Sequence, residues 1–152
     1  MAGAGGGSSG FRRVILLDTN VVSAVMQHRP DPAVVAWLDV QPADQIWLPS
    51  VVVFELRYGL GLLPGGARRS RLEQALEELL GELVQGRIAP LDALAARKAA
   101  RLAAERRTQG TTVDLRDTLI AGIAQGCRAT LATRNQRHFQ DLGIPVINPF
   151  NG

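Results

Sequence analysis

The sequence predicts an α/β fold: a three-layer α/β/α sandwich around a central, mostly parallel sheet of about five strands. Three observations lead there. Short apolar runs rich in β-branched residues recur along the chain and alternate with longer segments of helical periodicity. The runs are continuously apolar rather than alternating, as expected of strands buried on both faces of a sheet. The length of 152 residues, 46% of them hydrophobic, suits one domain with its own core.

The elements follow in order. Residues 1–10 (MAGAGGGSSG) offer nothing to bury and read as a disordered Gly/Ser-rich tail, leaving 11–152 as a single domain. Val14-Ile15-Leu16-Leu17 is the first strand, followed by helices over 21–27 and 33–39. Ile46-Trp47-Leu48 is the second strand, with Pro49-Ser50 as the turn that caps a helix over 51–62. Pro64-Gly65-Gly66 breaks that helix. Residues 68–84 carry leucine at 72, 76, 79, 80 and 83, a helical stripe that serves either core packing or a surface for a protein partner. A third short strand over 87–90 precedes an alanine-rich helix over 92–108, and a further helix covers 115–125. Thr130-Leu131-Ala132 and Val146-Ile147 complete the strands.

Composition narrows the function classes. Cys127 is the single cysteine, so no intrachain disulfide can form and a reducing cytoplasm is the expected location. No apolar run reaches the roughly 18 residues that a membrane span requires, and no membrane partner is expected. The formal net charge is +3, and of 17 basic residues only Lys98 is lysine. Arginine suits phosphate contact through its planar fork, though a charge this modest is equally that of a solvated surface.

In open parallel sheets polar chemistry gathers beyond the carboxyl ends of the strands, and three acids stand out by position. Asp18 directly follows the first apolar run. It reads either as a helix N-cap, with Thr19 and Asn20 in the turn, or as a site residue. Glu55 lies in an apolar helix with Val51 and Val52 before it and Tyr58 and Gly59 after it. Such a carboxylate must be paired, protonated or bound to a cation. Asp117 shares its helical face with Ile120 and Ala121 and therefore points inward. Asp114, three residues earlier, reads as the N-cap of that helix.

A cluster of ionised carboxylates requires a cation, and oxygen-only ligands select Mg²⁺, with Mn²⁺ as the alternative. Zinc is not expected, because Cys127 stands alone and His28 and His138 lack ligand-like spacing and read as surface residues. The chain contains neither a G-x-S-x-G elbow nor a G-x-x-x-x-G-K-[ST] loop.

Read together, four fragments resemble the PIN-domain family. They are Leu16-Leu17-Asp18-Thr19-Asn20; Ser50 to Gly59 with Glu55 inside; Arg116-Asp117-Thr118-Leu119-Ile120-Ala121; and Leu131-Ala132-Thr133-Arg134-Asn135, with Val146-Ile147-Asn148-Pro149-Phe150 closing the pattern. The likeness runs from about Val14 to Phe150 and is nearest to VapC-type toxins of VapB–VapC toxin–antitoxin pairs, including the FitB-like branch. That resemblance implies a Mg²⁺-dependent ribonuclease with RNA as substrate. Asp18 and Asp117 would be metal ligands, and Asp18, Glu55 and Asp117 the catalytic acids. It implies Asn20 and Asn135 as groups that orient phosphate or water, with Asn135 standing where the family often carries a fourth acid. Asp114 is a substitute for that acid if it is not a cap. Arg116 and Arg134 would either contact RNA phosphates or face solvent. A homodimer and a cognate VapB-like antitoxin are further implications.

Two rivals remain open at this level. One is a PIN fold that binds RNA or protein without catalysis, for which Asn135 is the best support. The other is a haloacid-dehalogenase-like phosphatase with Asp18 as nucleophile; such enzymes want an acid where this chain has Asn20 and a lysine for which Lys98 is the only choice.

Overall fold

The computed structural model describes residues 13–151, so the Gly/Ser-rich segment 1–10 lies outside the described residues. The chain runs β1 (Ile15–Leu17), α1 (Thr19–Met26), α2 (Pro32–Asp39), β2 (Ile46–Pro49), α3 (Ser50–Leu62) and α4 (Ala67–Glu78). It continues through β3 (Ile88–Ala89), α5 (Ala93–Thr108), α6 (Leu115–Gly126), β4 (Thr130–Ala132) and β5 (Val146–Ile147). The predicted strands and helices are all present, with ends shifted by a few residues.

The five strands form one parallel sheet in the order β3-β2-β1-β4-β5, flanked by the six helices among the described residues. β1 is central and fully buried, which explains its unbroken apolar run. It pairs with β2 through Ile15↔Ile46 and with β4 through Leu17↔Ala132. The chain therefore moves outward from β1 through β2 to β3, then returns to the opposite side of β1 for β4. That reversal opens a crevice beyond the carboxyl ends of β1 and β4, the place where open α/β sheets bind ligands.

Helix α6 is buried almost all round, from Asp117 and Thr118 through Ala124, and packs closely on α5. The approach depends on Gly122: a Cβ there would stand 2.5 Å from the Ala95 carbonyl oxygen and 2.7 Å from Ala99 Cβ. Small residues on both helices thus set the depth at which α6 presents its first turn.

Two local expectations change. The predicted 68–84 helix is α4 followed by a π-helical turn, Leu79–Leu83, in which Val84 N donates to Leu79 O at 3.0 Å. Widening the helix by one residue lets Leu79 and Val84 both reach the core, and the left-handed Gly86 (φ 74°) then turns the chain into β3. With Leu72, Leu76 and Leu79 buried, the leucine stripe is core packing rather than an open docking face. Exposed apolar side chains do occur on α3, where Phe54, Tyr58 and Leu62 are 66%, 60% and 68% exposed. Pro49-Ser50 does not cap α3 by a side chain: Pro49 ends β2, and Ser50 Oγ accepts from Leu91 N at 3.0 Å.

Candidate active site

Asp18 leaves β1 at its carboxyl end and is 0% exposed. It is the helix N-cap that the sequence offered, and it stands at the carboxyl edge of the sheet. As N-cap of α1 it accepts from Thr19 N at 2.7 Å through Oδ1. Its backbone N–H continues the sheet by donating to Ala132 O at 2.9 Å, and its Oδ2 accepts from Thr133 Oγ1 at 2.7 Å. Thr133 stands after β4 as Asp18 stands after β1, so the register of two parallel strands brings these side chains together.

Thr133 is itself fully buried and serves three partners. Its hydroxyl donates to Asp18 and accepts from Asn135 N at 3.0 Å and from Asn20 Nδ2 at 3.4 Å. Asn20 Oδ1 in turn accepts from Arg134 N at 3.1 Å. Asn20 thereby ties the first turn of α1 to the loop after β4.

Asp117 enters from the first turn of α6. Its N–H donates to Asp114 Oδ1 at 2.9 Å, which makes Asp114 the helix cap that its spacing suggested. Asp114 is exposed, and its side chain caps α6. Asp117 is buried. Burial pushes its carboxyl above the ordinary aspartate range, with the Asp114 charge adding to the rise and the Arg116 hydrogen bond opposing it.

Glu55 comes from the middle of α3 and is half-buried, because Phe54, Tyr58 and Gly59 beside it face solvent rather than the core. Its Oε1 accepts from Thr19 Oγ1 at 2.6 Å.

Arg116 joins the three acids. Its Nη2 pairs with Asp18 Oδ1, its Nε with Glu55 Oε2, and its Nη1 with Asp117 Oδ1 at 2.8 Å. Nη2 also reaches Thr19 Oγ1 at 3.3 Å. Burial disfavours the guanidinium charge, but the hydrogen bonds and charges of Glu55 and Asp18 outweigh it and hold the group still more firmly protonated than usual. The sequence offered Arg116 as a phosphate contact or a solvated surface group; in the structure it turns inward and pairs with all three acids. Arg134 is exposed and lies over the Phe150 ring at 3.9 Å from its centroid.

One neighbour was read differently. His138 is exposed, as expected, yet its Nδ1 lies 3.4 Å from Asp117 Oδ2. Nothing in the spacing announced it; the clue was its place beside the apolar Phe139 in the segment after the strand that carries Thr133.

The cluster opens into a groove of about 960 Å³ whose lining includes Asn20, Glu55, Arg116, Arg134, Asn135 and Phe150. The donor set suits a hard divalent cation, since the acids offer only carboxylate oxygens and converge on a single positive group. With the guanidinium among them, no three His, Cys, Asp or Glu side chains close into a metal cage among the described residues. The residues fit such a cation on the condition that Arg116 yields its place.

This fold, with a carboxylate cluster at the switch point of a five-stranded parallel sheet, defines the class. The PIN domain family model matches residues 15–144, and the chain belongs to that family. Among curated relatives it is 37% identical over 137 residues to the VapC ribonuclease Y4jK of Sinorhizobium fredii, covering 90% of this chain and 98% of the relative. It is 36% identical over 138 residues to the toxin FitB of Neisseria gonorrhoeae, covering 91% and 99%. The crystal structure of FitAcB from Neisseria gonorrhoeae superposes with a TM-score of 0.83 at 35% identity, covering 91% of this chain and all of that one. The phosphatase rival falls with this membership.

Proposed function

We propose that this chain is a metal-dependent ribonuclease that serves as the toxin of a toxin–antitoxin pair. One observation carries the reading: Asp18, Glu55 and Asp117, from three separate elements, converge on one guanidinium at the edge of an open groove. The VapC ribonuclease and toxin FitB relatives support the chemistry and the biological role.

Asp18 and Asp117 would hold Mg²⁺, or Mn²⁺ in its place. Bound there, the ion would polarise the scissile phosphodiester and lower the pKa of the attacking water. Glu55, half-exposed and oriented by Thr19, would accept the water's proton. Thr133 keeps Asp18 in one rotamer. Arg134, steadied by Phe150, and Asn135 line the groove where the RNA backbone would run.

The exposed apolar face of α3 lies next to this groove. A second hollow of about 490 Å³ involves Val51, Phe54, Leu91, Leu115 and Leu119 together with Glu55 and Arg116. Apolar surface at the lip of a charged site suits a protein partner better than RNA, and we assign the antitoxin and homodimer contacts to this edge.

The idle-binder reading has one observation in its favour, since Arg116 already pairs with all three acids without a metal. Cleavage of RNA by antitoxin-free protein, with Mg²⁺, with EDTA and with Asp18→Ala, separates the two. Activity that requires both the ion and Asp18 supports the nuclease. Absence of cleavage across total tRNA and ribosomal RNA supports the idle binder.

A further inference from the structure

Resting on the reading of the groove as an RNA site, we propose that Arg134 and Phe150 form a stacking platform for one unpaired RNA base. The protein would thereby take single-stranded RNA beside the acid cluster in preference to duplex.

The platform is preformed. The Arg134 guanidinium carbon lies 3.9 Å from the centroid of the Phe150 ring, so the cation rests on the ring's π-face. Phe150 is held from behind. It packs against the hydrophobic core, its N–H donates to Asn148 Oδ1 at 2.9 Å, and its 3₁₀ turn, Pro149–Asn151, sits on α2. Arg134 is held at its backbone, where the N–H donates to Asn20 Oδ1 at 3.1 Å. A long side chain pinned at its root and laid on a ring has less rotamer freedom to lose when a ligand arrives.

The guanidinium also has a surface left to offer. Among the described residues Arg134 makes no ion pair and its guanidinium no hydrogen bond, the Phe150 ring being its one partner. The side chain is exposed and lines the groove together with Phe150. With one face of the plane on the ring, the opposite face and the N–H edge remain. A phosphate takes the edge, but covering the face needs a flat π-system, and the base is the part of an RNA strand that supplies one. Arg29, in the loop between α1 and α2, lines the same groove, is likewise exposed and has no ion pair among the described residues. It offers a point for a flanking phosphate.

Position ties the platform to the acids. Arg134 directly follows Thr133, whose hydroxyl donates to Asp18. Asn20 bonds to both loop residues, through Nδ2 to Thr133 Oγ1 and through Oδ1 to Arg134 N. A base stacked on Arg134 would therefore belong to a nucleotide close to the phosphate that the acids meet. In a duplex each base is already stacked and paired and must be extruded before a side chain can cover its face. An unpaired base reaches the platform directly.

The test is binding of RNA to the full chain in EDTA, read by fluorescence anisotropy. The probes are a short mixed-sequence oligoribonucleotide, the same strand annealed to its complement, and an abasic ribose-phosphate chain of equal length and charge. The wild type should bind the single strand about 10-fold more tightly than the abasic chain, and more tightly than the duplex. Arg134→Lys keeps the charge without the plane, and Phe150→Leu keeps apolar bulk without the ring. Both should lose most of the preference for bases, while the salt dependence of Arg134→Lys stays that of the wild type. If Arg134→Lys keeps the full preference, or the wild type binds all three probes alike, the platform is overturned and Arg134 is a phosphate contact in an RNA groove that still stands. If the wild type neither binds RNA in EDTA nor cuts it with Mg²⁺, the ribonuclease reading itself is overturned.

Discussion

Replacing Arg116 with alanine separates compensation of the acid charges in the folded protein from the proposed binding of a catalytic ion. The guanidinium pairs with three carboxylates, one of which, Asp18, is wholly buried. Removing one partner of a buried ion pair costs about 3–5 kcal/mol, because the other charge is left without compensation. Asp18 keeps its bonds from Thr19 N and Thr133, and Glu55 is partly open to water, so the expected loss is smaller, about 2–3 kcal/mol. For a domain of this size each kcal/mol moves the melting temperature by about 2–4 °C, giving a fall of about 4–12 °C in EDTA. At the proposed metal site a divalent cation would first have to displace the guanidinium in the wild-type protein; in the variant it would not. Saturating Mg²⁺ or Mn²⁺ should therefore raise the melting temperature of Arg116→Ala by more than it raises that of the wild type. Thermal melts followed by circular dichroism, with EDTA and with each ion, measure both effects. If the variant melts with the wild type in EDTA, Arg116 is not the counter-charge that holds the cluster. If the ion stabilises both proteins equally, guanidinium and cation do not compete for one place.

Three further outcomes follow from the same geometry. Thr133→Val removes a donor to buried Asp18 and an acceptor for Asn20 Nδ2 and Asn135 N; urea unfolding should show a loss of about 2 kcal/mol, and an unchanged midpoint would mean that the Thr133 hydroxyl does not support the site. Gly122→Ala drives a methyl group into the Ala95 carbonyl and Ala99, so α6 must move away from α5; the expected loss is about 1–3 kcal/mol, and a variant as stable as the wild type would show that the helices are free to part. Asp117→Asn tests the raised carboxyl in metal-free protein. Because the folded value lies above the ordinary 3.8, the stability linked to protonated Asp117 is present below that value and lost as pH rises through the folded one. The variant should therefore gain on the wild type in urea unfolding as pH rises across that window and hold a constant lead above it; a lead that shrinks instead would reverse the assigned direction.

What the sequence made legible was whatever depends on neighbours along the chain. Apolar runs located the strands, because a strand buried on both faces cannot afford polar residues. Asp18 and Asp114 were readable as caps because a cap acts on the next turn of its own helix. Asp117 was readable as inward because Ile120 and Ala121 share its face. The role of Arg116 was not readable, since its partners Asp18 and Glu55 lie 98 and 61 positions away and meet it only after the parallel sheet has formed. Thr133 and Thr19 escaped for the same reason. Each looks like an ordinary turn residue until β1 and β4 are in register and α3 is packed alongside. Asn135 was singled out as the substitute for a further acid, yet the side chain that reaches Asp117 from that segment is His138, three residues on. The 3₁₀ turn that swings it there has no hydrophobic period long enough to announce itself.

The same cross-chain arrangement explains why a cluster of acids can exist at this sheet edge before any ion arrives. Asp18 is fixed by the strand register and cannot turn to water, so its carboxyl group must find its partners inside the fold. A lysine could neutralise one carboxylate at a point; the planar fork of Arg116 meets three at once, and its partly exposed side chain can still swing outward. Released from the acids, the guanidinium would remain at the wall of the groove beside Arg134, where an RNA phosphate would be its next anionic partner. On the proposed function, entry of an ion and capture of a phosphate would favour one another, because each would relieve the cost of the other. Arg116 at the groove wall, with its fork on the buried acids behind it, is what such an exchange requires, and a solvated surface arginine could not perform it.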